Sequence, residues 1–236
     1  MKIEVYLKHN DVFPDDLKNR HVVIIDVLRA TTVMITALDN GANSVQTVAR
    51  IDQAFSMAKA DPRILLAGER NALKIEGFHL GNSPLEMTAE TVLNRELIMC
   101  TSNGTQAIAG SSKAETIRVA AFINMQAVTD EMVDLNEDFV IICSGTNGIF
   151  SLDDGLAAGM LINRIHKKTT VQTNDIGWAL ALAIKDEKKL SENLKDCYHL
   201  NLLNKRGFEK DVNYCLSTDT TDIVPQLIKN KFIINK

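Results

Sequence analysis

The chain has 236 residues, 45% hydrophobic and 24% charged, which suits a globular protein and gives no support to disorder or a fibrous repeat. A formal charge of -4 leaves no broad basic face for nucleic acid or an anionic membrane surface, so neither is expected as a partner. The start, Met1-Lys2-Ile3-Glu4-Val5, lacks the pattern of a secretory leader, and no window has the apolar length of a membrane span, so a cytoplasmic protein is expected. Cys100, Cys143, Cys197 and Cys215 show no CxxC spacing, which argues against a zinc cluster or disulfide framework. Cys100 and Cys143 lie within apolar runs and read as small buried hydrophobes.

In chain order, Ile3–Leu7 is the first strand candidate, followed by the β-branched run His21–Ile25 ending at Asp26. The loop Val27–Thr32 leads into a helix carrying Val33, Ile35, Ala37 and Leu38, with Gly41 as its stop. Ser44–Val48 and Ile64–Ala67 read as strands on either side of a helix near Gln53–Lys59. The stretch Lys74–Pro84 is too polar and Gly-rich for a core element, and reads either as a functional loop or as a surface excursion. Leu97–Cys100 is a strand feeding Thr101-Ser102-Asn103-Gly104-Thr105, after which Ala107 and Ile108 open a helix. Thr116–Ala120 is a strand, Met125–Val133 a helix, and Phe139–Cys143 a strand feeding Ser144-Gly145-Thr146-Asn147-Gly148. From Leu152 to Phe208 the pattern is helical, including Asp154–His166 and Asp175–Lys185, with the charge run Asp186-Glu187-Lys188-Lys189 as a solvated helix end. Alternating strands and helices, with strands lacking strict in/out periodicity, predict an α/β fold: a three-layer α/β/α sandwich with a mainly helical C-terminal third. A single domain over 1–236 is expected, with 1–120 and 121–236 as candidate subdomains.

Three strand-loop-helix units matter for chemistry, because ligands of open α/β sheets collect beyond the carboxyl ends of the strands. Their loops are rich in Ser, Thr, Asn and Gly, which donate hydrogen bonds and let backbone approach oxyanions; the same residues also serve as caps and turns. Asp26 at a strand end can hold a hard cation or cap the next helix. Arg29 can grip phosphate, carboxylate or sulfonate with its planar fork, or be a surface residue. Thr31 and Thr32 offer hydroxyls at a helix start. Gly68-Glu69-Arg70 repeats the pairing of a carboxylate with an arginine at a second strand end.

Taken together and in order, Asp26-Val27-Leu28-Arg29-Ala30-Thr31-Thr32, Gly68-Glu69-Arg70, Gly77-Phe78-His79-Leu80-Gly81-Asn82-Ser83-Pro84, Thr101–Thr105 and Gly145–Asp154 make the chain similar to the 2-phosphosulfolactate phosphatase family, from about Ile3 to Gly159. The resemblance implies a Mg²⁺-dependent acid phosphatase that converts 2-phosphosulfolactate to sulfolactate and phosphate, a step of coenzyme M biosynthesis, and that accepts other 2-hydroxy-acid phosphates. The chain departs from the family pattern with His79 in place of Asp, Asn71 and Ala72 where Gly is common, and Ser102 in place of Thr.

Other phosphatase chemistries lack their residues. Leu28 stands where a haloacid-dehalogenase-type enzyme needs a second Asp, there is no Gly-Lys-Ser/Thr loop, and Gly148 and Ile149 follow Cys143 where a thiol phosphatase needs Arg. A metal-plus-water scheme remains, in which Asp26 and Glu69 hold Mg²⁺ and Arg29 and Arg70 bind anionic groups. Donors from Thr31, Thr32, Asn82, Ser83, Thr101, Ser102, Asn103, Gly104, Thr105, Ser144, Gly145 and Thr146 then meet the oxyanions of a small polyanionic phosphate ester. Lys74 adds a cation, and Asp154 is a third candidate carboxylate or a helix cap. The rivals are a broader 2-hydroxy-acid phosphate phosphatase and a non-catalytic phosphometabolite-binding protein. A homodimer is the prior for an enzyme of this size.

Overall fold

The structure, a computed structural model, describes residues 1–59, 61–184 and 186–234. Its strands are β1 (Lys2–Tyr6), β2 (His21–Ile25), β3 (Ser44–Thr47), β4 (Ile64–Arg70), β5 (Leu73–Lys74), β6 (Glu96–Cys100), β7 (Thr116–Ala120), β8 (Phe139–Cys143), β9 (Gln172–Thr173), β10 (Gln226–Ile228) and β11 (Lys231–Ile233). The helices are α1 (Ala30–Asp39), α2 (Ile51–Ala58), α3 (Ala89–Val92), α4 (Gly104–Gly110), α5 (Met125–Leu135), α6 (Leu152–His166), α7 (Asp175–Ala183), α8 (Leu190–Asn193), α9 (Tyr198–Lys205) and α10 (Glu209–Cys215). The expected helix Asp175–Lys185 corresponds to α7, and Lys185 lies outside the described residues.

Among the described residues there is one 11-stranded sheet, ordered β5-β4-β6-β3-β11-β10-β7-β2-β8-β1-β9. It consists of two parallel blocks, β4-β6-β3 and β7-β2-β8-β1-β9, sewn together by the antiparallel hairpin β10–β11. The hairpin pairs Gln226 with Arg118 of β7 on one side and Phe232 with Val45 of β3 on the other. Its two-residue turn places Lys229 and Asn230 at φ 49 and 67, the twist that favours a tight hairpin over splayed strands.

The expected α/β/α sandwich is observed. Alternate residues of β2 serve different layers: Val22 and Ile24 face a core with α1 and α4, whereas Val23 and Ile25 face a core with α5 and α6. On the outer face of β4 and β6, Leu66, Ile98 and Cys100 pack with Ala54 of α2 and with Phe78. The sheet is not flat. Five inter-strand steps separate β6 from β2, which in a flat sheet is about 24 Å at ~4.8 Å per step. Yet a Cβ built on Gly104, just after β6, would stand 2.8 Å from Oδ2 of Asp26, just after β2. The sheet therefore curls and brings the ends of remote strands together. Helix α1 lies in the curl, buried from Ala30 through Leu38, as expected of a helix with protein on all sides.

The mainly helical C-terminal third is observed in α6 to α10 but is incomplete, because the chain also contributes β9 and the hairpin there. A Lys-Asn turn lacks the Asn-Gly or Asp-Gly chemistry that marks a hairpin, and strands of three residues show too little periodicity to read. The hairpin is nonetheless structural. Phe232 is fully buried between the blocks, and Lys231 Nζ donates to Glu96 Oε2 at 2.7 Å. Phe232→Ala should lower the unfolding free energy by about 3–5 kcal/mol in urea titration, the range for a buried aromatic in a collective core. A change below about 1 kcal/mol would show that the hairpin is not part of the cooperative unit.

Candidate active site

The loops after β2, β4, β6 and β8 meet α9 around a cleft of ≈ 560 Å³ of empty space. Of the residues expected at the site, Asp26, Arg29, Glu69, Asn82, Thr101, Ser102, Asn103 and Thr146 line it. Apart from Asn82, which comes from the loop after β5, they arrive from four separate strand ends that the curled sheet gathers at one cleft.

Asp26 is 6% exposed, and its Oδ1 accepts the N–H of Ala30 at 3.1 Å. Oδ2 has no hydrogen-bond partner among the described residues and abuts Gly104, where an added Cβ would stand 2.8 Å from it. Burial is the largest influence on this carboxyl; with the nearby Asp153 and Glu69 charges it outweighs the Ala30 N–H and His199, and the pKa is pushed up to about 6. Glu69 is 7% exposed, and each oxygen accepts one backbone N–H: Oε1 from Ser102 at 2.7 Å, Oε2 from Ala72 at 2.8 Å. One lone pair per oxygen stays free, so Glu69 staples two loops without exhausting its capacity.

Arg29 does not stand as a free anion receptor. It is 2% exposed, pairs through Nη1 with Asp211 Oδ2, donates from Nη2 to the Ala72 carbonyl at 3.2 Å, and stacks on Phe208 with 4.1 Å to the ring centroid. Ser83, expected at the ligand, instead donates to the other Asp211 oxygen at 2.8 Å. Its neighbour Asn82 does line the cleft and is 6% exposed, and its Oδ1 is buried without a partner.

Several expected residues are not in the cleft lining. Thr31 and Thr32 belong to the fully buried α1, where an unpaired hydroxyl would be costly; Thr31 Oγ1 bonds the Asp26 and Ala120 carbonyls and Thr32 Oγ1 that of Val27, each at 2.8 Å. Arg70 turns away to the Glu69 carbonyl, the Ala49 carbonyl and Cys100 Sγ. Thr105 Oγ1 bonds the Thr101 carbonyl at 2.7 Å, and Gly104 supplies space for Asp26 rather than a ligand contact. Ser144 donates its N–H to Ile25 and accepts from His9, while Gly145 donates to Asp154 Oδ2 at 3.0 Å. Lys74 lies exposed on β5 and is not in the lining.

Asp154, offered as a cap or a third ligand, is 2% exposed and bridges two site loops, accepting Val27 N–H on Oδ1 at 2.9 Å and Gly145 N–H on Oδ2. Burial, then the charges of Asp153 and Asp26, push its pKa well above the ordinary range despite these donors. Residues that the sequence reading missed come mainly from α9 and α10. His199 and Arg206 line the cleft, and Asp211 anchors Arg29. The guanidinium of Arg206, which is exposed, has no ion-pair or hydrogen-bond partner among the described residues. A lone His and a lone Arg in a helical stretch carry no pattern by which sequence alone could select them.

Comparison with known proteins resolves the family. A profile described as 2-phosphosulpholactate phosphatase matches residues 6–230. The chain belongs to this family. Relatives named "Probable 2-phosphosulfolactate phosphatase" include one from Clostridium novyi, 40% identical over 227 residues, 96% of this chain and 97% of the relative. Another, from Caldanaerobacter subterraneus, is 40% identical over 230 residues, 96% of this chain and 95% of the relative. Among the described residues no helix is long and apolar enough to cross a membrane.

Within the 2-phosphosulpholactate phosphatase family, the chain's departures acquire a physical reading. Asn71 and Ala72 sit at φ 54 and 64, the left-handed region that glycine occupies most cheaply, in the tight turn joining β4 to β5. His79 is exposed, and its Nδ1 accepts the Leu66 N–H at 2.9 Å, a structural bond on an outer loop away from the cleft lining. Ser102 contributes its N–H to Glu69, a contact for which Ser and Thr are equivalent. Ala72→Gly should raise stability by about 1 kcal/mol, because relief of the left-handed strain exceeds the added chain entropy. Thermal unfolding of the purified variant reads this directly, and a loss of stability would contradict the strain assignment.

Proposed function

We propose that the chain hydrolyses the phosphate monoester of a small 2-hydroxy acid, with 2-phosphosulfolactate as the favoured substrate and Mg²⁺ held by Asp26 and Glu69. The observation that carries this reading is the pairing of two buried carboxylates on a cleft whose other polar lining residues include donors for anions. A polyanion and these carboxylates are mutually repulsive, so the site makes sense with a hard cation between them. The donor set fits such an ion: Asp26 Oδ2 is unpartnered, Glu69 retains a lone pair on each oxygen, and both line one cleft. Among the described residues no group of three or more His, Cys, Asp or Glu side chains could hold a metal, so water and substrate oxygens would complete the shell. When bound, Mg²⁺ supplies the positive charge that lets the phosphoryl group approach and that offsets its charge in the transition state.

The chain's own residues divide the remaining work. Hydroxyl and amide groups of Thr101, Ser102 and Asn103 lie beside the two carboxylates and suit the phosphoryl oxygens, whereas Thr146, also in the lining, gives its hydroxyl proton to Ser151 and its N–H to the Ile149 carbonyl. Asn82 leaves one amide oxygen for a water or ligand donor. Arg29, its charge largely offset by Asp211, keeps N–H groups beyond its two protein bonds and lines the cleft as a fixed donor. Arg206, with no partner among the described residues, is the cation for a remote carboxylate or sulfonate.

Phosphate release from 2-phosphosulfolactate and 2-phospholactate, measured with Mg²⁺ and with excess EDTA, tests the reading. Chelation and Asp26→Asn should each reduce turnover by about 10²–10³-fold with the circular dichroism unchanged. Equal release with and without EDTA would refute the metal role. Thermal stabilisation by these esters without phosphate release would instead identify a binding protein.

Arg206→Gln should raise KM for 2-phosphosulfolactate by about 10-fold or more, as expected for loss of ~1.5–3 kcal/mol from a charged hydrogen bond, with kcat little altered. For isopropyl phosphate, which has no second acid, the same substitution should change kcat/KM by less than about twofold. Equal losses on both esters would remove Arg206 from the specificity site.

A further inference from the structure

We infer that His199 of α9 is the general acid that protonates the leaving oxygen of the ester, an assignment that rests on the phosphatase reading above. A hydrogen-bond chain of fixed direction runs behind the ring. Ser151 Oγ lies 2.5 Å from Asp153 Oδ1, and an ionised carboxylate can only accept, so the serine donates. Thr146 Oγ1 donates to Ser151 Oγ at 3.1 Å. With the single threonine proton committed, its oxygen must accept from His199 Nδ1 at 3.0 Å. Nδ1 therefore carries a proton whether the ring is neutral or charged.

Asp153 adds a second hold. It is fully buried, its Oδ2 has no hydrogen-bond partner, and that oxygen stands 3.7 Å from the same Nδ1. Burial disfavours the imidazolium, but the carboxylates of Asp153 and Asp26 outweigh it, against an opposing Arg29, and the pKa is lifted above the ordinary histidine value. The side chain is 14% exposed and borders the cleft that Asp26 and Glu69 also line. Nε2, with no partner among the described residues, is the nitrogen left for a ligand.

The chemistry has a use for that proton. Water adds to phosphorus, the ester P–O bond breaks, and its electron pair goes to the alkyl oxygen. A 2-hydroxy-acid alkoxide is a poor leaving group, so transfer of the Nε2 proton to that oxygen as the bond breaks yields the neutral alcohol directly. The attacking water keeps one proton in the phosphate product and releases the other to solvent, from which the imidazole is reprotonated. Atoms and charge balance without any further reagent. Thr146, Ser151 and Asp153 act as positioning residues in this scheme.

The test compares two substrates that differ only in how much the leaving oxygen needs a proton: 2-phospholactate and its 3,3,3-trifluoro analogue, whose alcohol is much more acidic. In the 236-residue chain with Mg²⁺, His199→Gln should lower kcat for 2-phospholactate by about 10²–10⁴-fold. The loss on the trifluoro ester should be at least about tenfold smaller, because that oxygen can depart unprotonated. His199→Asn, with folding checked by circular dichroism, supplies the same comparison if the glutamine variant does not fold. Equal losses on the two esters, or a change confined to KM, overturn the general-acid role while leaving the phosphatase reading intact. A wild-type protein that releases phosphate from neither ester nor from 2-phosphosulfolactate overturns the phosphatase reading, and this inference with it.

Discussion

Like charge held out of water is the constraint around which the molecule is arranged. Asp26, Glu69, Asp153 and Asp154 are each less than a tenth exposed, and burial together with the neighbouring carboxylates pushes Asp26 and Asp154 upward in pKa. The fold tolerates this because most of the oxygens have donors. Glu69 and Asp154 each accept two backbone N–H groups, one per oxygen, and Asp153 accepts from Ser151 and Cys197. Those bonds are also what hold the loops in place: Asp154 ties the loop after β2 to the loop after β8, and Glu69 ties the β4–β5 turn to the loop after β6. Asp26 differs, with one oxygen fixed by Ala30 and the other open. An open oxygen on a desolvated carboxylate is where a cation gains most.

The same constraint explains why the C-terminal helices close over the strand ends. Arg29 is as buried as the carboxylates and would be costly alone; Asp211 from α10 neutralises it, and Phe208 covers its face. Ser83 then fixes the second Asp211 oxygen. The Ala72 peptide is gripped at both ends, its N–H by Glu69 and its carbonyl by Arg29. Arg29 and Glu69, one member of each charged pair at the strand ends, thus form a joint between the β2 loop, the β4–β5 turn and the last helices.

Much of this was legible in the sequence, and the parts that were not share a physical reason. Uninterrupted β-branched runs such as His21–Ile25 and Phe139–Cys143 declare buried parallel strands, and carboxylates placed at strand ends declare a cleft; Asp26 and Glu69 are in it. What a hydroxyl or guanidinium does at a given position depends on which face of its element is enclosed. Thr31 and Thr32 look like ligand donors in a loop-to-helix motif, but α1 sits inside the curl and their hydroxyls serve nearby carbonyls. Arg70 follows Glu69 by one residue, and strand alternation sends it to the opposite face, toward Cys100 and Ala49. The curl itself depends on β10–β11 filling the gap between two blocks, a non-local pairing that no short pattern announces.

The signs of charge across the cleft, on the proposed reading, set the orientation of the substrate. Asp26 and Glu69 stand at the strand ends, whereas the unpaired Arg206 and the Asp153-backed His199 belong to α9 and the residue that follows it. A phosphoryl group bridged to the carboxylates by a cation leaves its ester oxygen and remote acid directed toward that helix. The reverse orientation would place a carboxylate or sulfonate against Asp26 and Glu69 with the phosphoryl group opposite a single arginine, and would lose the cation from the group that carries more charge. Substrates lacking a remote anion lose that discrimination between orientations, so their turnover should depend less on α9 than on the strand-end loops. The division follows from topology. The curled parallel strands supply the carboxylates, helices from the last third supply the cations, and the two sets come from segments too distant in sequence to form one motif.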